Sequence, residues 1–198
     1  MDCLLSFFSE LMVFNLESIA VLFSIIYVIL VAKESIWCWA AAIISVSLYI
    51  FICYEAKLYA ETALQFFYLI MAVAGYFFWK ESPDKKQLDI KELSIGNHAL
   101  ILFAGIIFTL ILGYVLTIYT QAKLPLLDSF TTIFSIIATF MVIKKILENW
   151  LYFIAIDLVS IYLYNSRDLQ QTAILFALYA IIACVGYYNW VRLMEKDV

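Results

Sequence analysis

Residues 75–79 read Gly-Tyr-Phe-Phe-Trp, and residues 186–190 read Gly-Tyr-Tyr-Asn-Trp. Sliding the chain along itself by 111 residues superposes these stretches and, without a gap, aligns residues 17–79 with residues 128–190. Identical residues stand at 18 of the 63 aligned positions, including two Trp pairs, two Tyr pairs, one Gly pair and one Lys pair. Apolar composition raises chance matches of Ile, Leu and Val, but it does not explain these rarer pairs. The sequence therefore predicts an internal duplication.

The composition places most of this chain in lipid. Of 198 residues, 66% are apolar and 14% charged, whereas a globular domain is about 45–50% apolar and about 25% charged. A water-soluble fold of this size has too little interior to bury so much apolar side chain. The net charge of −4 includes no basic stripe for nucleic acid, and the four scattered cysteines form neither a disulfide framework nor a predicted metal site.

Seven apolar segments are long enough to cross a bilayer, which takes about 20 residues with about 17–25 tolerated. Short polar breaks separate most of them, and the polar stretch 80–97 separates the third from the fourth. Residues 1–15 mix acidic and hydroxyl side chains with Leu and Phe, which predicts an amphipathic segment at the membrane surface. The predicted spans are 16–32, 36–54, 58–79, 98–119, 127–143, 147–164 and 169–191.

The duplication organises these spans into two repeats. Residues 16–79 and 127–191 each hold three spans, and the span 98–119 lies between them as a linker helix. With one helix between them, both repeats cross the membrane in the same direction. We therefore expect an all-α integral membrane protein with seven transmembrane helices, built as two parallel three-helix repeats joined by a central helix (3+1+3). Transporters with such repeats bind substrate near the midplane between them.

The Lys and Arg residues of the loops predict the orientation. Three lie on the side of the N-terminus, namely Lys57, Lys123 and Arg167. Nine lie on the other side: Lys33, Lys80, Lys85, Lys86, Lys91, Lys144, Lys145, Arg192 and Lys196. The N-terminus is accordingly expected outside, and the C-terminus and the polar loop 80–97 in the cytoplasm.

The sixth span carries the clearest candidate site. Trp150, Phe153, Asp157, Ser160 and Tyr164 recur at helical spacing and form one stripe. Asp157 falls near mid-bilayer, where a carboxylate costs at least about 2.5–3.5 kcal/mol unless it meets water, a partner or a ligand. It is either part of a substrate pathway or a structural hydrogen-bonding group between helices. The equivalent position of the second span holds no acid, which suits a substrate with two unlike ends.

Further candidates lie on other spans. Gln65 donates and accepts hydrogen bonds, which suits recognition of an amide or hydroxyl as well as an interhelical bond. Tyr68, Tyr179 and Trp39 are aromatic candidates with packing as the alternative role, and Asn149 either caps the sixth helix or reaches into a cavity.

The duplicated Gly-Tyr-x-x-Trp ends have predicted roles of their own. Gly75 and Gly186 are expected to allow close helix approach, and Trp79 and Trp190 to anchor their spans at the interface. The sequence holds no HExxH, GxSxG, Walker or Gly-rich phosphate motif. We therefore expect that the protein is not an enzyme and that it binds no cofactor and no metal.

The spread of these residues resembles the PnuC family of bacterial nicotinamide riboside transporters. The resemblance covers about residues 17–192 and rests on Trp39, Tyr49, Leu64-Gln65-x-x-Tyr68 and Gly75-x-x-x-Trp79, and on Glu148-Asn149-Trp150-x-x-Phe153-x-x-x-Asp157, Ser160 and Tyr164. It implies a fold similar to the SWEET sugar carriers and a homotrimer in the bacterial cytoplasmic (inner) membrane. It also implies facilitated diffusion of the vitamin, which phosphorylation then traps inside the cell.

The resemblance further implies a substrate held between the repeats. Trp150 and Phe153 would stack on its heteroaromatic ring, while Asn149, Asp157 and Gln65 would hydrogen-bond its amide or ribose. The family typically places a second Trp where this chain has Phe153, and Phe is the weaker partner for a cationic ring.

Several alternatives stay open at this point. Thiamine or riboflavin would be carried on the same fold, and a sugar carrier would share the related scaffold. Proton coupling through Asp157 or Glu61 is a further alternative. A non-transporting assembly or receptor subunit would have Asp157 paired inside the helix bundle.

Overall fold

The computed structural model describes the backbone of residues 2–55, 59–80, 89–120 and 122–196. Within these ranges, side chains are described from residue 16 onward, except at 59–61, 63, 171 and 196. The described residues form seven helices and no strand beyond an isolated bridge, which confirms the predicted all-α fold. The helices are α1 (Asp2–Ala32), α2 (Trp37–Glu55), α3 (Tyr59–Trp79), α4 (Ile95–Tyr119), α5 (Pro125–Ile143), α6 (Asn149–Asn165) and α7 (Gln170–Lys196).

Helix α1 begins earlier than the sequence predicts. It runs from Asp2 to Ala32 as one helix of 31 residues, about 46 Å long, instead of starting near residue 16. No Gly or Pro interrupts this stretch, so nothing in the backbone ends a helix between the expected surface segment and the first span. The side chains of residues 1–15 and the loop residues 81–88 lie outside the described residues, as does the predicted amphipathic character of the first segment.

The helices form two compact units, Met1–Gln87 and Leu88–Val198. In the first unit, α2 packs against both α1 and α3. In the second, α4 packs on α5, α5 on α6, and α6 on α7. The central helix of the predicted 3+1+3 arrangement is therefore packed with the second repeat.

Small residues bring α4 close to α5. Gly105, Thr109 and Gly113 are the buried residues described on α4, and they recur every fourth position along one face. A Cβ at Gly105 would stand 2.7 Å from the Phe134 ring, and one at Gly113 would stand 2.6 Å from the Leu126 side chain. The other faces of α4 carry exposed Leu, Ile and Phe, as a lipid-facing helix requires.

The two units share an uncommon turn at equivalent positions. Glu34 after α1 and Lys145 after α5 are 111 residues apart, and both adopt a left-handed conformation, with φ of 57° and 50°. Each donates its backbone N–H to the carbonyl three residues before it, Val31 or Val142, at 2.9 Å. A positive φ is uncommon for residues other than Gly, so the same turn at the same offset is a backbone counterpart of the sequence duplication.

Four stretches are long and apolar enough by themselves to cross a membrane: α2, α4, α5 and residues Thr172–Glu195 of α7. This result concerns length and composition of the described residues alone. It agrees with the predicted membrane protein.

Candidate functional site

A Trp–Gly–Trp joint holds α2 against α3 in the first unit. Trp39 of α2 is 1% exposed, and its ring lies where a Cβ on Gly75 of α3 would stand. Trp79, one turn after Gly75, meets the Trp39 ring edge-on, with centroids 5.3 Å apart at 88°. The predicted close approach at Gly75 is confirmed. The predicted interfacial anchor is wrong, because Trp79 is 3% exposed and closes this joint.

The second unit repeats the joint between α6 and α7. Trp150 is 2% exposed, and a Cβ on Gly186 would stand 2.7 Å from its ring. Trp190 is fully buried and meets Trp150 edge-on at 5.5 Å and 88°. The predicted interfacial role of Trp190 is therefore also wrong, whereas close helix approach at Gly186 is confirmed. The duplicated motif thus encodes the same helix–helix contact twice.

Both joints leave one polar atom unused. The indole Nε1 atoms of Trp39 and Trp150 are buried and have no hydrogen-bond partner among the described residues. A buried donor without a partner costs about 1–3 kcal/mol. Each joint therefore combines a packed ring with a buried N–H that no described residue satisfies.

Asn149 presents a buried acceptor at the start of α6. Its side chain is fully buried, and its Nδ2 donates to the carbonyl of Ile146 at 2.6 Å. This bond fixes the amide and leaves Oδ1 without a partner in the described part of the chain. The capping alternative is not what the structure shows, because the N-cap residue is Glu148 and no side chain caps the helix.

Asp157 lies eight residues further along α6, about 12 Å from Asn149 by the helical rise. It is 4% exposed, and Ser160, one turn later, is 2% exposed. No hydrogen bond or ion pair joins the Asp157 carboxylate to any residue that the structure describes. The described residues contain no cluster of three or more His, Cys, Asp or Glu suited to a metal.

Phe153 faces a different neighbour from Trp150. It is half-buried and packs against a core formed by Phe134 and Ala138 of α5 with Ile156 of α6. Helix α6 thus presents Trp150 to α7 and Phe153 to α5.

The other candidates divide between the units. Gln65 and Tyr68 lie half-buried on α3 of the first unit, where Tyr68 meets Phe67 edge-on at 5.7 Å. In the second unit, Tyr179 of α7 meets Phe176 edge-on at 5.9 Å. Phe176 in turn stacks on Tyr164 of α6 at 5.1 Å and 12°. Asn149, Trp150, Phe153 and Asp157 are brought together on α6.

A polar cluster beside Asn149 was not predicted from the sequence. The Glu148 carboxylate accepts from the backbone N–H of Leu93 at 3.0 Å and lies 3.3 Å from Nε2 of His98. Nδ1 of His98 is 3.1 Å from the Tyr152 hydroxyl. Fifty residues separate His98 from Glu148, so no local spacing relates them, and the sequence gives His98 no role beyond the interface.

Comparison with known proteins agrees with this architecture. The sequence model of the nicotinamide mononucleotide transporter family matches residues 15–192. The nicotinamide riboside transporter PnuC of Neisseria mucosa is 26% identical over 195 residues, covering 91% of this chain and 73% of the relative. The protein of the same name from Haemophilus influenzae is 24% identical over 177 residues, covering 87% and 77%. A crystal structure of the vitamin B3 transporter PnuC superposes with a TM-score of 0.73 at 25% identity, covering 96% of this chain and 88% of that one.

These matches decide the class of protein. The relatives are transporters, which argues against both an enzyme and a non-transporting assembly or receptor subunit. They also make this chain a multi-pass protein of the bacterial inner membrane. Because the family match extends over residues 15–192 and the fold is shared, the chain belongs to the PnuC family of nicotinamide mononucleotide transporters.

Proposed function

We propose that this chain carries the NAD precursor nicotinamide riboside into the cell by facilitated diffusion. The names of the Neisseria mucosa and Haemophilus influenzae relatives support the substrate. The observation that carries the proposal is a pair of buried polar groups on α6. They are the Asn149 amide, whose Oδ1 has no hydrogen-bond partner in the described part of the chain, and the Asp157 side chain, which is buried.

The two acceptors suit the two ends of this substrate. Nicotinamide riboside has a carboxamide on a positively charged ring and a ribose with several hydroxyls. The carboxamide N–H donates to Asn149 Oδ1, which the bond to Ile146 already orients. Asp157, about 12 Å along the helix, accepts from ribose hydroxyls and offsets the positive ring charge. A preoriented acceptor binds with less loss of conformational entropy than a free side chain.

The aromatic residues take different parts in this proposal. Trp150 is 2% exposed and packed on Trp190, so a ring stacks on it only if α6 and α7 move apart. Its indole N–H is buried without a partner among the described residues, and the same movement would bring this donor to the substrate. Half-buried Phe153 supplies a ring face, and Gln65 supplies an amide for the ribose. Tyr68, Tyr179 and Trp39 are the other proposed substrate-binding residues.

Facilitated diffusion is the proposed mode of transport, because no energy source for active transport is evident in the sequence. The sequence has no nucleotide-binding motif, and uptake by facilitated diffusion becomes one-way once the cell phosphorylates the vitamin. The loop charges, nine cations against three, support an N-terminus outside and a C-terminus in the cytoplasm. We further propose a homotrimer, for which light scattering of the protein in detergent would give three times the chain mass of 22.9 kDa.

Calorimetry on the purified protein tests the substrate. Nicotinamide riboside is expected to bind saturably, with riboflavin and glucose giving no heat. Asn149→Ala should weaken binding about tenfold, the effect of losing one hydrogen bond of about 1.4 kcal/mol. Saturable binding of thiamine alone would assign the chain to the other cationic vitamin, and binding of none of the four would remove the proposal.

Uptake into proteoliposomes tests the mechanism. Internal nicotinamide riboside should rise until it equals the external concentration and stop there. An imposed pH gradient should change neither the rate nor the plateau. Accumulation above the external concentration that depends on the pH gradient would show proton coupling instead.

A further inference from the structure

The polar segment before α4 is pinned to the connection between α5 and α6. The backbone N–H of Lys91 donates to the Lys145 carbonyl at 3.0 Å. The backbone N–H of Leu147 donates to the Lys91 carbonyl at 2.9 Å. These bonds form a short parallel bridge between segments more than 50 residues apart.

Side chains extend this bridge into α4 and α6. The Glu148 carboxylate accepts from the Leu93 N–H with both oxygens, at 3.0 and 3.2 Å. His98 in the first turn of α4 reaches Glu148 through Nε2 and the Tyr152 hydroxyl through Nδ1. The His98 and Tyr152 rings also stack, with centroids 5.9 Å apart. We call Leu93, His98, Glu148 and Tyr152 the clasp.

The clasp holds a helix start that has no side-chain cap. No side chain caps α6, and Lys145, four residues before its first residue, is left-handed. Asn149, the residue after Glu148, depends on this turn because its Nδ2 donates to Ile146 there. The position of the turn at Lys145 and Ile146 therefore determines the direction of Asn149 Oδ1.

The first repeat has the same turn without the clasp. The residue equivalent to Glu148 is Trp37, which is 71% exposed, and the residue equivalent to Tyr152 is Ala41. The equivalent of Asn149 is Cys38, which has no amide to orient. Of the two repeats, the clasp belongs to the one that carries the buried amide.

We infer that Glu148 is a positioning residue for the substrate. Held by the Leu93 N–H and by His98, it fixes the first turn of α6 and thereby the direction of Asn149 Oδ1. The inference rests on the proposed function, in which Asn149 binds the substrate. Residues that hold a binding side chain in place affect affinity without touching the ligand.

Binding of nicotinamide riboside to purified variants tests this role. Glu148→Ala should raise Kd about tenfold, the loss expected when Asn149 Oδ1 no longer meets the substrate. Glu148→Gln should keep Kd within about twofold of the wild type, since the amide oxygen still accepts from Leu93. In an Asn149→Ala background, Glu148→Ala should cause no further loss, because it acts through Asn149. The inference would be overturned if Glu148→Ala bound with the same Kd as the wild type. It would also be overturned if Glu148→Ala raised Kd a further tenfold in the Asn149→Ala protein.

Hydrogen exchange supplies a readout that needs no substrate. Amides of residues 145–152 should exchange faster in Glu148→Ala and His98→Ala than in the wild type. The control Glu55→Ala, an exposed glutamate at the end of α2, should leave them unchanged. If the wild type binds no vitamin, the proposed function is wrong. The exchange rates still show whether Glu148 and His98 stabilise the start of α6. Unchanged exchange at 145–152 would overturn the inference in either case.

Discussion

At the scale of single residues, the two repeats differ at the positions proposed to bind the substrate. Asn149 and Asp157 are buried polar groups on α6, and Cys38 and Val46 stand at the equivalent positions of α2. The sequence marks Asp157 as a candidate because a carboxylate in an apolar span is costly. The direction of the Asn149 amide could not be predicted from the sequence. It depends on the position of the Ile146 carbonyl, which follows the left-handed residue Lys145.

Replacing Asp157 by Asn should discriminate substrates by charge. The variant keeps the shape of the side chain but removes its negative charge, so affinity for nicotinamide riboside should fall about tenfold, or about 1.4 kcal/mol. Affinity for the uncharged, reduced dihydro form of the riboside should fall less. Calorimetry measures both. Asp168→Asn is a matched control, since Asp168 is exposed and its left-handed φ of 62° suits Asn equally. Equal losses for both forms would make Asp157 structural.

Adding one methyl group to the second joint should displace Trp150. A Cβ at Gly186 meets the Trp150 ring at 2.7 Å, and overpacking of this kind costs about 1–3 kcal/mol. Gly186→Ala should therefore lower the melting temperature in detergent and shift the Trp emission. Gly75→Ala should do the same at Trp39. Gly96→Ala serves as the control, because no atom lies within 4 Å of its Cβ. If Gly186→Ala and Gly96→Ala had the same melting temperature, the close contact between Gly186 and Trp150 would be contradicted.

At the scale of helices, the apolar pattern predicted where most elements lie. The bounds of α2, α3, α5 and α6 agree with the predicted spans to within two residues, because charged breaks end both the pattern and the helix. The start of α1 was missed, because polarity alone does not stop a helix that lacks Gly and Pro. The burial of Trp79 and Trp190 was also missed. Their place at the end of a span suggests an interface, and only the contact with the preceding helix shows otherwise.

Removing residues 1–13 should leave transport largely intact. The remaining part of α1, residues 14–32, has 19 residues and a length of about 28 Å. That length is close to the hydrocarbon thickness of about 30 Å, so the span itself survives. Uptake per inserted protein in proteoliposomes should stay within about twofold of the full chain. Loss of uptake in properly inserted protein would show that the first half of α1 belongs to the transport machinery.

At the scale of the whole molecule, the backbone is duplicated, whereas the proposed substrate site is not. The turn at Glu34 and Lys145 and the Trp–Gly–Trp joint recur in both units, and each contributes to folding of its own three helices. Among the residues that the structure describes, the clasp and the buried Asn149 and Asp157 lie in the second unit. This difference suits a substrate with two unlike ends, because two repeats with identical polar side chains would offer the same hydrogen-bonding groups to both ends.

The repeats also predict which residues share a side of the membrane. Lys33 and Lys144 are equivalent and exposed, and an odd number of helices separates the repeats, so both should face the same side. The charge count makes that side the cytoplasm. With the four native cysteines replaced by Ala, Lys33→Cys and Lys144→Cys should react with an impermeant maleimide only after spheroplasts are permeabilised. Lys123→Cys should react in intact ones. Labelling of 33 and 144 from opposite sides would contradict parallel repeats, whereas labelling of both in intact spheroplasts would keep the repeats parallel and reverse the chain.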